Sequence, residues 1–201
     1  MIASVLTLSR ADCKALRITD PYSLHRVVYS LFPQKDGQSR SFLFADKGGD
    51  FSSRRILIVS EDKPLTPEIG HVQSKIIQDS FLDHNLYGFE VLVNPVKRNS
   101  KTGKLTAIKG KAELSDWFIQ KAPSFGFSVY PDSLMVSDTD VLQFKKENSI
   151  VTFGKAKFTG KLKVTNRPLF KKSFCTGIGK AKGFGFGLLQ IVPLTEASVD
   201  A

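Results

Sequence analysis

A tyrosine, a histidine and an arginine stand close together near the N-terminus. Asp20 and Pro21 predict the start of a helix, because Asp caps a first turn in which Pro needs no N–H group. On that helix Tyr22 and His25 share a face, with Arg26 beside them. A phenol, an imidazole and a guanidinium can together move protons on a phosphodiester and stabilise its charge. A half-buried histidine with a structural role is the alternative, and these residues alone do not exclude it.

A glycine-rich stretch at residues 177–187 is the second chemical feature. Its spacing fits neither a dinucleotide fingerprint nor a P-loop, which would end in Gly-Lys-Ser or Gly-Lys-Thr. It also departs from the RNP1 motif, which has an aliphatic and an aromatic residue where Gly187 and Leu189 stand. We interpret it as a loop whose bare backbone lies against a phosphate backbone or the partner domain; a flexible surface turn is the alternative. Its glycines are Gly177, Gly179, Gly183, Gly185 and Gly187.

The chain carries a large excess of positive charge. Its 201 residues include 29 Lys and Arg against 19 Asp and Glu, a formal net charge of +10. Such an excess favours a polyanionic partner, and its location outside amphipathic helices favours nucleic acid over a membrane surface. For any one cluster, a solvated basic surface is the alternative. The clustered residues that we expect to bind RNA are Lys97, Arg98, Lys101, Lys104, Lys109, Lys180 and Lys182.

The remaining residue types carry no motif for several other kinds of chemistry, although the sequence does not exclude a Ser-His-Asp arrangement. Acidic residues are scattered without the spacing of a magnesium site, and no GxSxG nucleophile motif is present. Two cysteines, Cys13 and Cys175, are too few for a disulfide framework or a zinc site. We therefore expect no metal and no cofactor. If the protein cuts nucleic acid, we expect it to cut RNA through the substrate's own 2′-hydroxyl group.

The composition is that of a globular protein, with 41% hydrophobic and 24% charged residues. No apolar run approaches the roughly 18 residues that a membrane-spanning helix requires. The first ten residues show neither the basic region nor the cleavage site of a signal peptide. We expect a cytoplasmic protein without a membrane partner.

The hydrophobic pattern predicts the same order of elements twice. In the first half we expect a strand at 2–8, a helix from 20–21 to 32–33, and strands at 41–45, 55–60 and 71–77. The Pro-interrupted stretch at 63–70 allows at most a short helical turn. In the second half we expect a strand at 87–93, a helix near 111–121, strands at 127–136, 141–145 and 150–164, a helix at 168–174 and a closing strand at 184–192.

This order predicts the α+β fold class, with two tandem ferredoxin-like (RRM-like) domains of βαββαβ order. The first domain would span residues 1–83 and carry the helix with Tyr22 and His25. The second would span residues 86–201 and carry the glycine-rich loop.

Three stretches are similar to motifs of one known family. DPYSLHR at 20–26 resembles the N/D-P-Y-x-x-H-R element of the CRISPR repeat endoribonucleases of the CasE (Cse-type) family. FEVLVNPVKR at 89–98, followed by TGK at 102–104, is similar to the family's central ANP-x-KR…TGK segment. Residues 177–189 resemble its C-terminal G-x-G-K-A-x-G-x-G-x-G-L-L segment. The three stretches follow the family's order, which makes them jointly specific.

The resemblance implies a fold, an activity and partners. It implies two ferredoxin-like domains and metal-independent cleavage of precursor CRISPR RNA at the base of a repeat hairpin, leaving 5′-hydroxyl and 2′,3′-cyclic phosphate ends. Tyr22 and His25 would be the catalytic pair, with Arg26 and nearby lysines stabilising charge on the phosphate. The protein would keep the mature guide RNA and sit in the Cascade complex beside its backbone subunit. A non-catalytic RNA-binding subunit and a DNA-binding protein remain the alternatives.

Overall fold

The computed structural model describes residues 1–33, 40–50, 52–98, 101, 103, 105–146 and 149–195. It is an α+β protein built on antiparallel sheets. The first sheet has the strand order β2-β3-β1-β4. The elements of this part of the chain are β1 (Ile2–Ser9), α1 (Arg10–Ala15), α2 (Pro21–Ser30), β2 (Phe42–Gly49), β3 (Ser53–Ser60) and β4 (His71–Ile76).

The second sheet has the order β11-β5-β10-β8, and β9 pairs with β10 outside that path. A separate two-stranded sheet joins β6 and β7. The elements are β5 (Leu86–Val93), β6 (Val96–Arg98), β7 (Leu105–Ala107), α3 (Lys111–Lys121), β8 (Phe127–Val129), β9 (Met135–Lys146), β10 (Ser149–Val164), α4 (Arg167–Thr176) and β11 (Gln190–Pro193). No helix in the described part of the chain is long and apolar enough to cross a membrane.

Helix α2 begins where the sequence predicts. The Asp20 carboxylate accepts a hydrogen bond from the backbone N–H of Ser23 at 2.7 Å, and the Ser23 side chain binds the Asp20 N–H in return. This reciprocal cap and Pro21 at the first position fix the start of the helix. Leu24 and Val28 are buried against the first sheet, so the opposite face of the helix remains available for function.

The first sheet is covered on both faces. Because successive side chains of a strand point to opposite faces, Phe44 and Ile58 pack under α2 while Leu43 and Val59 face the other way. Leu43 and Val59 belong to the same apolar cluster as residues of the second sheet and of α3 and α4, including Phe118. The two halves of the chain therefore share one core.

Strands β9 and β10 form a long hairpin that projects beyond the second sheet. Residues Ser149–Lys155 of β10 pair with β9, whereas β10 pairs with β5 only from Ala156 onward. We call the part formed by β9 and Ser149–Lys155 the hairpin arm. The arm contacts α2, and it thereby brings residues of the second half to the N-terminal helix.

Two strand predictions are wrong. The strand expected at 127–136 is interrupted by a 3₁₀ turn at Pro131–Ser133, because Pro has no N–H group for the strand ladder. The closing strand expected at 184–192 begins only at Gln190. Before it, Lys182–Phe184 form a 3₁₀ turn, and Gly185 and Gly187 have φ values of 85° and 80°, which no extended strand allows.

One helix was missed. Helix α1 begins at a capping box in which the Ser9 side chain accepts from the Asp12 N–H at 3.1 Å. The Asp12 carboxylate accepts from the Ser9 N–H at 2.8 Å. The Ser-x-x-Asp signal is present in the sequence, but the apolar alternation of β1 runs directly into it.

Candidate active site

One face of α2 carries three aromatic side chains in a row. Tyr22, His25 and Tyr29 follow one another at helical spacing, and all three are half-buried. The Tyr22 and His25 rings are stacked, with centroids 5.8 Å apart and planes inclined by 12°. The His25 and Tyr29 centroids are 3.9 Å apart. The structure therefore brings together the two residues predicted to be catalytic, and adds Tyr29.

The imidazole of His25 is oriented by the glycine-rich loop. Its Nδ1 atom lies 2.7 Å from the carbonyl oxygen of Gly183. Because a carbonyl oxygen only accepts hydrogen bonds, Nδ1 must carry the hydrogen. In the neutral imidazole the lone pair is then on Nε2, which is the atom that can take up a proton.

The close approach of the loop depends on the glycine at position 183. A Cβ atom there would lie 3.3 Å from Arg40 Nη1, 3.3 Å from Tyr29 Oη and 3.9 Å from His25 Cε1. These three groups therefore surround the Cα of Gly183. Tyr29 and His25 belong to α2, and Arg40 lies two residues before the start of β2.

The loop is anchored to the second sheet. The Gly187 N–H donates to the Leu92 carbonyl at 2.7 Å, and the Ile178 N–H donates to the Gly187 carbonyl at 2.9 Å. Ile178 and Phe186 are buried, at 1% and 0% exposed. Positive φ values at four glycines allow these turns, namely Gly177, Gly179, Gly185 and Gly187. The backbone that contacts His25 is therefore a fixed part of the second half of the chain.

Two cationic side chains lie at the same place. Arg40 Nη1 donates to Tyr29 Oη at 3.4 Å. Lys182 Nζ donates to the carbonyl oxygen of Thr176 at 2.8 Å. Burial lowers the pKa of Lys182, and the nearby charge of Arg40 lowers it further. The site is therefore electropositive beside the histidine.

Phenylalanine side chains pack beside the Tyr22 and His25 rings. The Phe184 ring lies 5.0 Å from His25, and the Phe144 ring of the hairpin arm lies 4.8 Å from Phe184. Phe144 is also stacked against Tyr22 at 6.3 Å and is 5% exposed. The arm and the loop thus hold the Tyr22 and His25 rings from the side.

The other residues predicted to bind RNA lie outside the group formed by Tyr22, His25 and Tyr29. Arg26 is exposed on α2, next to His25 in the chain. Strands β6 and β7 lie beside β10, where a Cβ at Gly154 would be 3.8 Å from Ala107. Lys104 lies outside the described residues. The predicted basic residues that are exposed are Lys97 and Arg98 on β6, Lys101, Lys109 and Lys180.

Sequence reasoning missed three residues of the site. Tyr29 follows His25 by four positions, so the helical period could have identified it. Arg40 and Phe144 carry no local signal, because only the tertiary fold brings them to α2. Among the described residues, no group of three or more His, Cys, Asp or Glu side chains is arranged to hold a metal ion.

The fold and the motifs define the family. The family described as "CRISPR associated protein" matches residues 1–193, and the chain belongs to it. The resemblance expected from the three motifs is confirmed by two curated relatives, each 24% identical. The CRISPR-associated endoribonuclease Cse3 of Thermus thermophilus aligns over 94% of this chain and 98% of the relative. The CRISPR system Cascade subunit CasE of Escherichia coli aligns over 87% of this chain and 93% of the relative.

Solved structures show the same fold. One is Thermus thermophilus Cse3 bound to an RNA representing a pre-cleavage complex, with a TM-score of 0.81 and 20% identity over 96% of this chain and 98% of that chain. Another is Cas6e from Escherichia coli, with a TM-score of 0.74 and 22% identity over 96% of this chain and 100% of that chain. The likeness thus extends over almost the whole chain.

Proposed function

We propose that this protein is a metal-independent endoribonuclease that cuts CRISPR precursor RNA at the base of the repeat hairpin. It leaves 5′-hydroxyl and 2′,3′-cyclic phosphate ends and keeps the guide RNA. The observation that carries the proposal is the hydrogen bond between His25 Nδ1 and the Gly183 carbonyl, which leaves Nε2 as a proton acceptor beside Tyr22. The relatives named as CRISPR endoribonucleases support the same activity.

The reaction is a transesterification. The 2′-oxygen attacks the adjacent phosphorus in line, the new 2′-O–P bond forms and the P–O5′ bond breaks. His25 Nε2 takes the proton of the 2′-hydroxyl, and the Tyr22 hydroxyl donates a proton to the leaving 5′-oxygen. Exchange with water after the cut returns the proton from His25 to Tyr22. Arg26 is exposed next to His25 and contacts a phosphate of the bound strand.

The fold that carries this site consists of two tandem ferredoxin-like domains, residues 1–83 and 86–201. The equivalent strand orders β2-β3-β1-β4 and β11-β5-β10-β8 support this division, although among the described residues no helix lies between β3 and β4. Arg167 spans the boundary: its guanidinium donates to the carbonyls of Leu82 at 2.7 Å and His84 at 2.6 Å. The junction is therefore tied to the second domain.

The partners we propose are the repeat hairpin, the mature guide RNA and the other Cascade subunits, especially the backbone subunit, in the cytoplasm. The name of the Escherichia coli relative, a Cascade subunit, supports the assembly. The exposed basic residues on β6 and in the glycine-rich loop would contact phosphates of the stem. An A-form stem is bound through its shape, phosphates and 2′-hydroxyl groups, which suits such a surface.

The test is incubation of the purified protein with the repeat hairpin RNA of its own locus. We expect one cut at the base of the stem, an unchanged rate in EDTA, and no cut when the nucleotide 5′ to the scissile phosphate is 2′-deoxy. Loss of activity with the chelator would contradict the metal-independent mechanism. Tight binding without cleavage would instead indicate a non-catalytic RNA-binding subunit, and equal competition by a DNA hairpin would indicate a DNA-binding protein.

A further inference from the structure

Arg40 occupies a central place in the site that no sequence motif marks. In the chain it lies between α2 and β2, two residues before Phe42. Its guanidinium contacts α2 through Tyr29. Nη1 donates to Tyr29 Oη at 3.4 Å and would lie 3.3 Å from a Cβ on Gly183. A Cβ at the same point would lie 3.9 Å from His25 Cε1. Arg40 and His25 therefore approach the same point of the loop.

The charge of Arg40 has no anionic partner within the described part of the chain. None of the ion pairs found there involves Arg40. Its Nε atom is buried and makes no hydrogen bond to any described residue. A buried guanidinium donor without an acceptor is costly, and a guanidinium whose charge is unpaired forms strong charge-assisted hydrogen bonds to an anion that reaches its Nη atoms.

A second cation makes the local charge still less balanced. Lys182 lies close enough for Arg40 to lower its pKa, and no acidic side chain contributes to that shift. Two neighbouring cations without a carboxylate between them repel each other. A dianionic transition state placed between them would relieve this repulsion, which a singly charged ground state relieves less.

We propose that Arg40 is a further catalytic residue, which donates a hydrogen bond to a non-bridging oxygen of the scissile phosphate while His25 moves the proton. This inference rests on the proposed function. Tyr29 is a positioning residue: its hydroxyl accepts from Arg40 Nη1, and its ring lies 3.9 Å from that of His25. Arg40 forms no covalent bond and transfers no proton, so the atoms of the transesterification balance without it.

The kinetic test compares Arg40→Ala with Arg55→Ala, which removes an exposed arginine of β3. Under saturating protein in a single turnover, we expect Arg40→Ala to cut about 10²- to 10³-fold more slowly than wild type. Guanidinium ion added to the buffer should restore part of that rate, and Arg40→Lys should retain part of it. Arg55→Ala should cut at the wild-type rate. A wild-type rate for Arg40→Ala, with the Arg55→Ala control intact, would overturn the role of Arg40.

A binding test separates this inference from the proposed function. The probes are two 2′-deoxy hairpins, one with the normal scissile phosphate and one with an uncharged methylphosphonate at that position. We expect wild type to bind the neutral hairpin about tenfold more weakly, and Arg40→Ala to show a clearly smaller difference between the two hairpins, because Lys182 remains beside the phosphate. If wild type and Arg40→Ala lose affinity for the neutral hairpin equally, the proposed contact between Arg40 and the scissile phosphate is wrong. If wild type binds as expected but never cuts RNA, the proposed function fails while the Arg40 contact stands; if wild type binds neither hairpin, both fail.

Discussion

The imidazole of His25 and the carbonyl oxygen of Gly183 lie 2.7 Å apart, although 158 residues separate them in the chain. The histidine belongs to the N-terminal helix, whereas the glycine belongs to a loop fixed to the second sheet. Neither half of the chain therefore forms the site alone. The orientation of the imidazole depends on how the two halves pack, so the proposed mechanism requires that this contact is kept.

His25→Ala should abolish cleavage while hardly changing RNA affinity. In the proposed mechanism the imidazole moves a proton, but it is one side chain in an interface that we expect to consist mainly of charges, so we expect a change in binding below about 1 kcal/mol. The measurement is single-turnover cleavage together with a hairpin titration. His71→Ala, at an exposed position of β4, is the matched control and should behave as wild type. Undiminished cutting by His25→Ala would contradict the assignment.

The Tyr22→Phe variant removes the hydroxyl group of Tyr22 and keeps its ring. The phenyl ring retains the stacking on His25 and Phe144, so folding and hairpin affinity should match wild type. The rate should fall by about 10²-fold, because a positioned general acid contributes roughly that factor. The check is single-turnover cleavage measured against pH, with Tyr130→Phe as the control. An unchanged rate and pH profile would restrict Tyr22 to a packing role.

The sequence predicts the start of α2 and the shared face of its two aromatic residues better than it predicts what surrounds them. Asp20 and Pro21 are local signals, since a cap and a fixed φ act within a single turn, and they placed Tyr22 and His25 correctly on one face. Arg40 and Phe144 were missed because their places depend on packing between distant segments. A pattern of apolar residues in one segment does not encode such contacts.

The glycine-rich segment shows why strand prediction failed there. Alternating Phe and Gly from 184 to 187 have the period of a strand, yet Gly185 and Gly187 adopt left-handed φ values. Phe186 is buried in the core, and Phe184 faces His25. Alternation alone therefore cannot distinguish a strand from a loop in which glycines let the chain turn between two packed aromatic side chains.

Gly187→Ala should destabilise the protein far more than a typical glycine replacement. A Cβ at this position would lie 2.2 Å from the Ile178 carbonyl oxygen, in addition to the strain of φ 80°. We expect a loss of at least about 3 kcal/mol, or failure to fold. Gly48→Ala is the control, because its φ is 72° but its surroundings are open, and it should lose about 1 kcal/mol. The measurement is the free energy of unfolding from urea denaturation. If Gly187→Ala and Gly48→Ala lose the same amount, the backbone conformation alone sets the cost and the contact with Ile178 does not.

The RNA affinity should depend on particular basic side chains rather than on net charge alone. Lys97 on β6 and Lys180 in the glycine-rich loop are exposed, and we expect each to contact a phosphate of the stem. Lys63, exposed between β3 and β4, is the control. The measurement is the slope of log affinity against log salt concentration for hairpin binding. Lys97→Ala and Lys180→Ala should each reduce the magnitude of this slope by roughly 0.7–0.9, because one fewer phosphate contact releases fewer counterions.

Cleavage under saturating protein should fall less than binding in the same two variants, because these lysines position the stem and move no protons. Lys182 is unsuitable for this comparison, since its Nζ already donates to the Thr176 carbonyl and lies beside Arg40. Lys63→Ala should leave the slope near the wild-type value, because a charge remote from the RNA acts only through a screened field. Identical slopes for Lys97→Ala, Lys180→Ala and Lys63→Ala would mean that the positive charge acts diffusely, and the assignment of β6 and the loop to the stem would then be wrong.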